Sequence, residues 1–282
     1  MLIDGRKIAA ELGAELTERV AKLGTAAGLA VVVATADEST AWYVRSLLRT
    51  AEKLDIAARR VDLPHDAGAD AIRAALAEVS AAPDIHGVIC QTPLPGGLRL
   101  EEVSAAVDPA VDVDGANPVS LGLLASGSDK AFAPATAAAV LKILDHEGVD
   151  LTGKRAVVIG RSNVVGKPAA LMLLARHATV TICHSRTPDL PAVAREADVL
   201  VAAVGRANLV TAGYVKPGAV VIDVGTNTTP DGGLVGDVDT AAVAQTAAAV
   251  TPVPGGVGPV TTMLLMSNVV TVAERRRQGS VR

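Results

Sequence analysis

Four polar residues sit where two apolar runs end. Arg161 follows Val157-Val158-Ile159-Gly160, and His184, Ser185 and Arg186 follow Thr179-Val180-Thr181-Ile182-Cys183. The first run, three branched apolar residues, reads as a parallel strand covered on both faces, and the second as the next strand. Gly160 lets the chain turn sharply. The helix expected after it offers free N–H groups and the positive end of its dipole, which together suit a phosphate. The spacing Gly160-x-Ser162-x-x-x-Gly166 is a loose form of the dinucleotide-binding turn. It is not a P-loop: five residues rather than four separate the glycines, and Pro168 stands where a magnesium-binding hydroxyl is required. After the second strand an NAD site places an acid on the ribose 2′-hydroxyl. Here an imidazole, a hydroxyl and a guanidinium fill that stretch, with Arg161 in the first turn. Such donors suit a 2′-phosphate, so the expected cofactor is NADP. An ordinary strand–helix turn with solvated arginines fits the same residues.

Two other stretches carry chemistry. In Asp112-Val113-Asp114-Gly115 a carboxylate offers two acceptors to a fork of donors; an Asp before Gly also serves as a plain turn cap. Thr251-Pro252-Val253-Pro254-Gly255-Gly256-Val257-Gly258-Pro259 is too rich in proline and glycine for a helix or central strand. It is expected as a stiff loop whose backbone approaches a ligand, with a structural crossover as the alternative.

The elements that position these residues alternate. Helical spacing over residues 6–23 puts Ile8, Leu12, Leu16 and Val20 on one stripe. Strands are expected at 29–34, 57–63 and 87–91, with helices at 40–54 and 69–79 between them. A helix at 136–146 leads to strands at 155–159, 179–183, 199–203 and 219–224, a short helix near Ala241 and a last helix at 261–277. This alternation predicts parallel α/β architecture. The 282 residues are 50% hydrophobic but only 1% aromatic, so Ala, Val and Leu must fill the core. A net charge of −4 argues against nucleic acid or an anionic membrane as partner. No apolar run approaches the roughly 18 residues of a membrane span, and the N-terminus lacks a signal-peptide core. A soluble cytoplasmic chain is expected. The 2 cysteines are far apart and the 5 histidines scattered, so neither a disulfide framework nor a metal site is expected. The run Arg275-Arg276-Arg277 complements the dipole of the last helix.

Several of these stretches, together with Leu2-Ile3-Asp4-Gly5, Tyr43-Val44, Gln91-Thr92-Pro93-Leu94-Pro95 and Asp223-Val224-Gly225, are shared with one family. Over nearly its whole length the chain resembles the bifunctional methylenetetrahydrofolate dehydrogenase/cyclohydrolases. The resemblance implies two α/β domains, the second a Rossmann-like dinucleotide-binding domain, with a cleft between them. Residues 1–134 and 264–282 would form the folate-binding catalytic domain and residues 135–263 the NADP domain. It implies a homodimer that oxidises 5,10-methylenetetrahydrofolate with NADP⁺ and then hydrolyses the methenyl product to 10-formyltetrahydrofolate. Tyr43, Gln91 and Asp114 would serve catalysis and substrate binding, with Pro254, Gly255 and Gly256 also touching the folate. Gly160, Arg161, Ser162, His184, Ser185, Gly205 and Thr226 would hold NADP.

One departure outweighs these matches. The family pattern Y-V-x-x-K-x-K reads here Tyr43-Val44-Arg45-Ser46-Leu47-Leu48-Arg49, so Leu47 holds the position of the catalytic lysine. Smaller departures are Ala135 in Pro134-Ala135-Thr136-Ala137 for P-C-T-P, Val111 for a lysine, and Ala116 for an aromatic residue. Leu47 lies one helical turn beyond Tyr43 and shares its face. Leucine moves no proton, so dehydrogenase activity is expected with weak or absent cyclohydrolase activity. Two alternatives stand beside this. One is a catalytically impaired folate- or nucleotide-binding protein with a regulatory role. The other is a dehydrogenase of a different substrate, such as a 2-hydroxy acid, for which no Arg–His–acid set is evident.

Overall fold

The computed structural model describes residues 1–128, 130 and 132–279, so the expected domain end at residue 282 lies outside the described residues. In chain order the helices are α1 (Gly5–Leu23), α2 (Glu38–Lys53), α3 (Ala69–Ala81), α4 (Pro118–Ala125), α5 (Ala135–His146), α6 (Gly166–Ala175), α7 (Leu190–Ala194), α8 (Thr240–Val243) and α9 (Val257–Gly279). The strands are β1 (Ala27–Val33), β2 (Ile56–Asp62), β3 (Gly87–Cys90), β4 (Arg155–Ile159), β5 (Thr179–Cys183), β6 (Val199–Ala202), β7 (Val220–Asp223), β8 (Asn227–Thr228), β9 (Leu234–Val235) and β10 (Ala249–Val250).

The chain divides into two compact units. One comprises Glu11–Ala135 and the chain from Thr262 onward; the other comprises Met1–Ala10 and Thr136–Thr261. The grouping of residues 1–10 differs from the expected division and has a backbone cause. The Ile3 N–H donates to Val250 O at 2.9 Å, and the Val250 N–H donates to Met1 O at 3.0 Å. The first residues thus extend the ladder beside β10.

The first unit holds a three-stranded parallel sheet in the order β2-β1-β3. All seven residues of β1 are buried, as a central strand covered on both faces requires. Leu16, Leu29, Ile72, Leu76 and Val269 belong to its core. The second unit holds a five-stranded parallel sheet in the order β10-β7-β6-β4-β5. Its first strand, β4, pairs with β5 on one side and β6 on the other. The chain therefore reverses its winding at β4, and ligands of such sheets bind at the carboxyl ends of the strands flanking that reversal.

Two expectations need correction. Residues 257–259 open α9 rather than closing a loop: Pro259 is tolerated there because the first helical N–H groups have no intrahelical partner. That helix is also long and apolar enough, by length and composition alone, to cross a membrane, contrary to the expectation that no segment approached this. Its apolar face is accounted for by packing, since Leu265, Met266, Val269, Val270, Val272 and Ala273 are buried in the core of the three-stranded unit. Arg276 and Arg277 stand in the last turn of α9, where the dipole favours them, and they also serve neighbouring backbone. Arg276 donates to Pro83 O and Ile85 O, and Arg277 donates to Lys22 O and Leu23 O at the end of α1.

Candidate functional site

In the five-stranded unit the site is built where β4 and β6 end. Gly160 has φ +129, and a Cβ there would overlap Ala203 O; a Cβ on Gly166 would overlap Gly160 O. Two strand ends and the first turn of α6 thus meet with no room for side chains. The Ser162 hydroxyl accepts from the N–H groups of Val165 (3.1 Å) and Gly166 (3.4 Å), so it closes the turn that opens α6. Ile159 and Cys183 are registered partners on β4 and β5. Arg161 and Ser185 therefore lie two residues beyond one paired position. Both are exposed, and the Arg161 guanidinium has no partner among the described residues. His184 Nδ1 accepts from the Arg186 N–H at 3.1 Å, which leaves Nε2 as the donor in the neutral ring.

Gly205 and Thr226 are set by two buried acids. Asp237 Oδ2 accepts from the N–H groups of Val204 (2.6 Å) and Gly205 (3.0 Å). Its Oδ1 accepts from the Arg206 N–H (2.8 Å) and from Asn227 Nδ2 (3.0 Å). Asp223 accepts from the N–H groups of Gly225 (2.9 Å), Asp237 (3.0 Å) and Val238 (2.9 Å). Burial pushes the Asp223 carboxyl up to about 6; these amides oppose the shift and the charge of Asp237 adds to it. Thr226 itself is exposed. The organising part of Asp237 escaped sequence reasoning. Its one signal was an acid between Gly236 and Val238 in an apolar stretch, where a buried charge needs partners.

The glycines of the loop before α9 answer to backbone packing. A Cβ on Gly5 would overlap Gly256 O, and one on Gly256 would come within 2.6 Å of Pro252 O. The crossover alternative therefore accounts for Gly256. Pro254 stays exposed and Gly255 half-buried, with φ +107 at Gly255.

In the three-stranded unit the capping role falls to Asp112. Its carboxylate accepts from the Ala116 N–H (3.0 Å), the Asn117 N–H (2.9 Å) and the Ser120 hydroxyl (2.6 Å). The Asp114 carboxylate makes no hydrogen bond among the described residues. Burial pushes it up to about 7, and the charge of Asp112 adds to the shift. Asp114 acts in turn on the Tyr43 phenol and the Cys90 thiol, each raised to about 12, chiefly by burial. Tyr43, Cys90 and Asp114 thus share one electrostatic environment. Gln91 donates through Nε2 to Thr92 O at 3.0 Å. Leu47 is 1% exposed and belongs to the apolar core with Val44 and Ala51, whereas Arg45 and Arg49 are exposed. Among the described residues no group of three or more His, Cys, Asp or Glu side chains gathers as metal ligands.

Residues 3–114 match the sequence model of the tetrahydrofolate dehydrogenase/cyclohydrolase catalytic domain, and residues 134–277 match that of the family's NAD(P)-binding domain. The chain is 55% identical over 278 residues to the bifunctional protein FolD of Nocardia farcinica, covering 98% of each chain. The FolD methylenetetrahydrofolate dehydrogenase/cyclohydrolase of Campylobacter jejuni superposes with a TM-score of 0.94 at 36% identity, over 98% of this chain and 99% of that one. The Trypanosoma brucei dehydrogenase-cyclohydrolase, solved with NADP cofactor and inhibitor, gives a TM-score of 0.93 at 35% identity, over 98% of each chain.

Proposed function

The chain belongs to the tetrahydrofolate dehydrogenase/cyclohydrolase family, and we propose that it oxidises 5,10-methylenetetrahydrofolate with NADP⁺ but hydrolyses the methenyl product weakly or not at all. In this reading the three-stranded unit binds the folate, the five-stranded unit binds NADP, and the chain works as a cytoplasmic homodimer. The observation that carries it is the unpartnered Asp114 carboxylate beside Tyr43. A pterin presents a fork of N–H donors, and a carboxylate left without protein partners is the matching acceptor. Oxidation moves a hydride from the methylene carbon to the nicotinamide and leaves a methenyl cation. That step needs positioning and no protein base. Hydrolysis needs water to add and lose a proton, and Leu47 supplies no group for it. Arg45 and Arg49 are exposed, and a guanidinium is a poor general base. The test is NADPH formation with methylenetetrahydrofolate as sole reductant. A binding protein without turnover, the reading that the loss of the lysine also permits, predicts none.

The cofactor choice rests on Arg161, Ser185, Arg186 and His184 Nε2 as donors to a 2′-phosphate. One charge-assisted hydrogen bond is worth about 1.5–3 kcal/mol, so Arg161→Ala is expected to weaken NADP binding about 10- to 150-fold. NAD binding should barely move. Equal losses for the two cofactors, measured by titration, would remove Arg161 from the 2′-phosphate.

Asp114 is expected to trade stability for function. Its folded-state carboxyl is raised to about 7, above the usual unfolded value, so the folded chain holds this proton more tightly. The group's contribution to stability therefore falls as pH rises from about 4 to 7. Asp114→Asn should leave the melting temperature at pH 7.5 unchanged or higher, and lower kcat/KM for the folate about 10- to 100-fold. Wild-type kcat/KM should rise through pH about 7 as the acceptor ionises, and the variant should lose that limb. A folded variant with wild-type kcat/KM leaves Asp114 no part in binding.

A further inference from the structure

We propose that the outer face of α2 binds the oligo-γ-glutamate tail of the folate substrate through Trp42, Arg45, Arg49 and Lys53. The proposal rests on the folate reading above and adds a subsite to it. The four residues stand at i, i+3, i+7 and i+11, which places them on one helical stripe. Trp42 is 61% exposed, in a chain with 1 tryptophan and 1% aromatic residues. A ring so placed buries little apolar surface and contributes little to the core. Arg45, Arg49 and Lys53 are exposed as well.

These cations differ from their neighbours in having no partner among the described residues. In the three-stranded unit Arg19 pairs with Glu274, Arg59 with Asp84, Arg60 with Asp62, Arg73 with Asp70 and Arg99 with Glu102. Arg275 lies 5.0 Å from the centre of the Phe132 ring, and Arg276 and Arg277 bind backbone carbonyls. Every other described arginine of this unit is thus engaged, while Arg45 and Arg49 make no ion pair or hydrogen bond through their side chains among the described residues. Among the described side chains Glu52, an acid flanking the stripe, forms no ion pair with either.

The stripe fits an anionic chain that begins on an aromatic ring. A tetrahydrofolate ends in a benzoyl group joined to glutamate, and each added γ-glutamyl unit brings one more carboxylate. Trp42 directly precedes Tyr43, the residue proposed to pack on the folate, and offers a π-face at the start of the stripe. From Arg45 to Lys53 the helix then rises about 12 Å, presenting three cations in succession. The overall charge of −4 makes such a local positive stripe a selective feature of this face.

The experiment compares wild type with a triple variant, Arg45→Gln, Arg49→Gln and Lys53→Gln, whose replacements keep helix propensity. KM is measured for mono- and pentaglutamyl methylenetetrahydrofolate at low salt. Wild type should favour the pentaglutamate by about tenfold, the sum of several exposed charge contacts. The variant should lose that preference while keeping its kcat and its monoglutamate KM. In parallel, p-aminobenzoyl-pentaglutamate is titrated against the fluorescence of Trp42, the chain's only tryptophan. Saturable quenching in wild type, lost in the variant and in high salt, supports the subsite. An equal preference in both proteins, or no quenching, overturns it. If the monoglutamate gives no turnover at all, the dehydrogenase reading fails, and the fluorescence titration still decides the stripe. Quenching by a DNA oligonucleotide but not by the glutamate peptide also overturns the proposal.

Discussion

Methenyltetrahydrofolate mixed with the protein is expected to decay at the rate of a protein-free control. A positioned acid–base group typically contributes 10²- to 10⁴-fold, roughly the loss predicted when the side chain at position 47 cannot carry a proton. Leu47 is held in the core beside Val44 and Ala51, and the nearest cations along the helix face water. Leu47→Lys would place an ammonium where burial lowers its pKa towards the range useful to a base. That variant should accelerate hydrolysis by about 100-fold or more, at a stability cost of about 1–3 kcal/mol for burying an amine. Leu47→Met, which keeps the site apolar, should gain nothing. Wild-type acceleration comparable with dehydrogenase turnover would show that another group, such as Gln91, orients the water.

Replacing Asp237 is expected to be the most damaging single change in the five-stranded unit. Asp237→Ala strands the N–H groups of Val204, Gly205 and Arg206 and the Asn227 amide without an acceptor. These donors are only part-buried and water can reach some of them, so each costs about 0.5–1.5 kcal/mol and their sum is a few kcal/mol, a large share of the stability of an ordinary domain. The variant should be recovered poorly or melt far below wild type. Asp237→Asn retains one acceptor oxygen and should be milder, with its surviving defect in NADP affinity because Gly205 loses its tether. Melting curves and an NADP titration check both variants. A wild-type melt for Asp237→Ala would mean that water or a rearranged loop supplies the missing acceptors.

The strands were legible wherever branched runs ended at glycine or polar residues. β4 falls at the expected residues because a parallel strand buried on both faces leaves an unbroken apolar signature; β5, the exposed edge strand, was legible from its β-branched Thr, Val and Ile instead. The helix α4 was missed although Asn117 and Pro118 form an ordinary start signal. The Asn117 side chain accepts from the Val119 N–H at 2.7 Å, and Pro118 takes the first turn. The hairpin of β8 and β9 has two residues per strand, too short for any periodicity. In the site, residue types could be read but their partners could not. Asp112 and Asp114 look alike in sequence, and only the hydrogen bonds that Asp112 takes from Ala116, Asn117 and Ser120 separate the turn cap from the free carboxylate. The same limit hid Asp237, whose partners lie more than 30 residues away along the backbone at Val204 to Arg206.

The most direct test of the split activity is the product ratio in a single reaction. Methylenetetrahydrofolate and NADP⁺ are mixed with the protein, and NADPH, methenyltetrahydrofolate and 10-formyltetrahydrofolate are measured over the first turnovers. Hydride transfer without enzymatic hydrolysis predicts methenyltetrahydrofolate and NADPH accumulating one for one, with the formyl product appearing only at the uncatalysed rate. NADPH accompanied from the start by an equal amount of 10-formyltetrahydrofolate would contradict it.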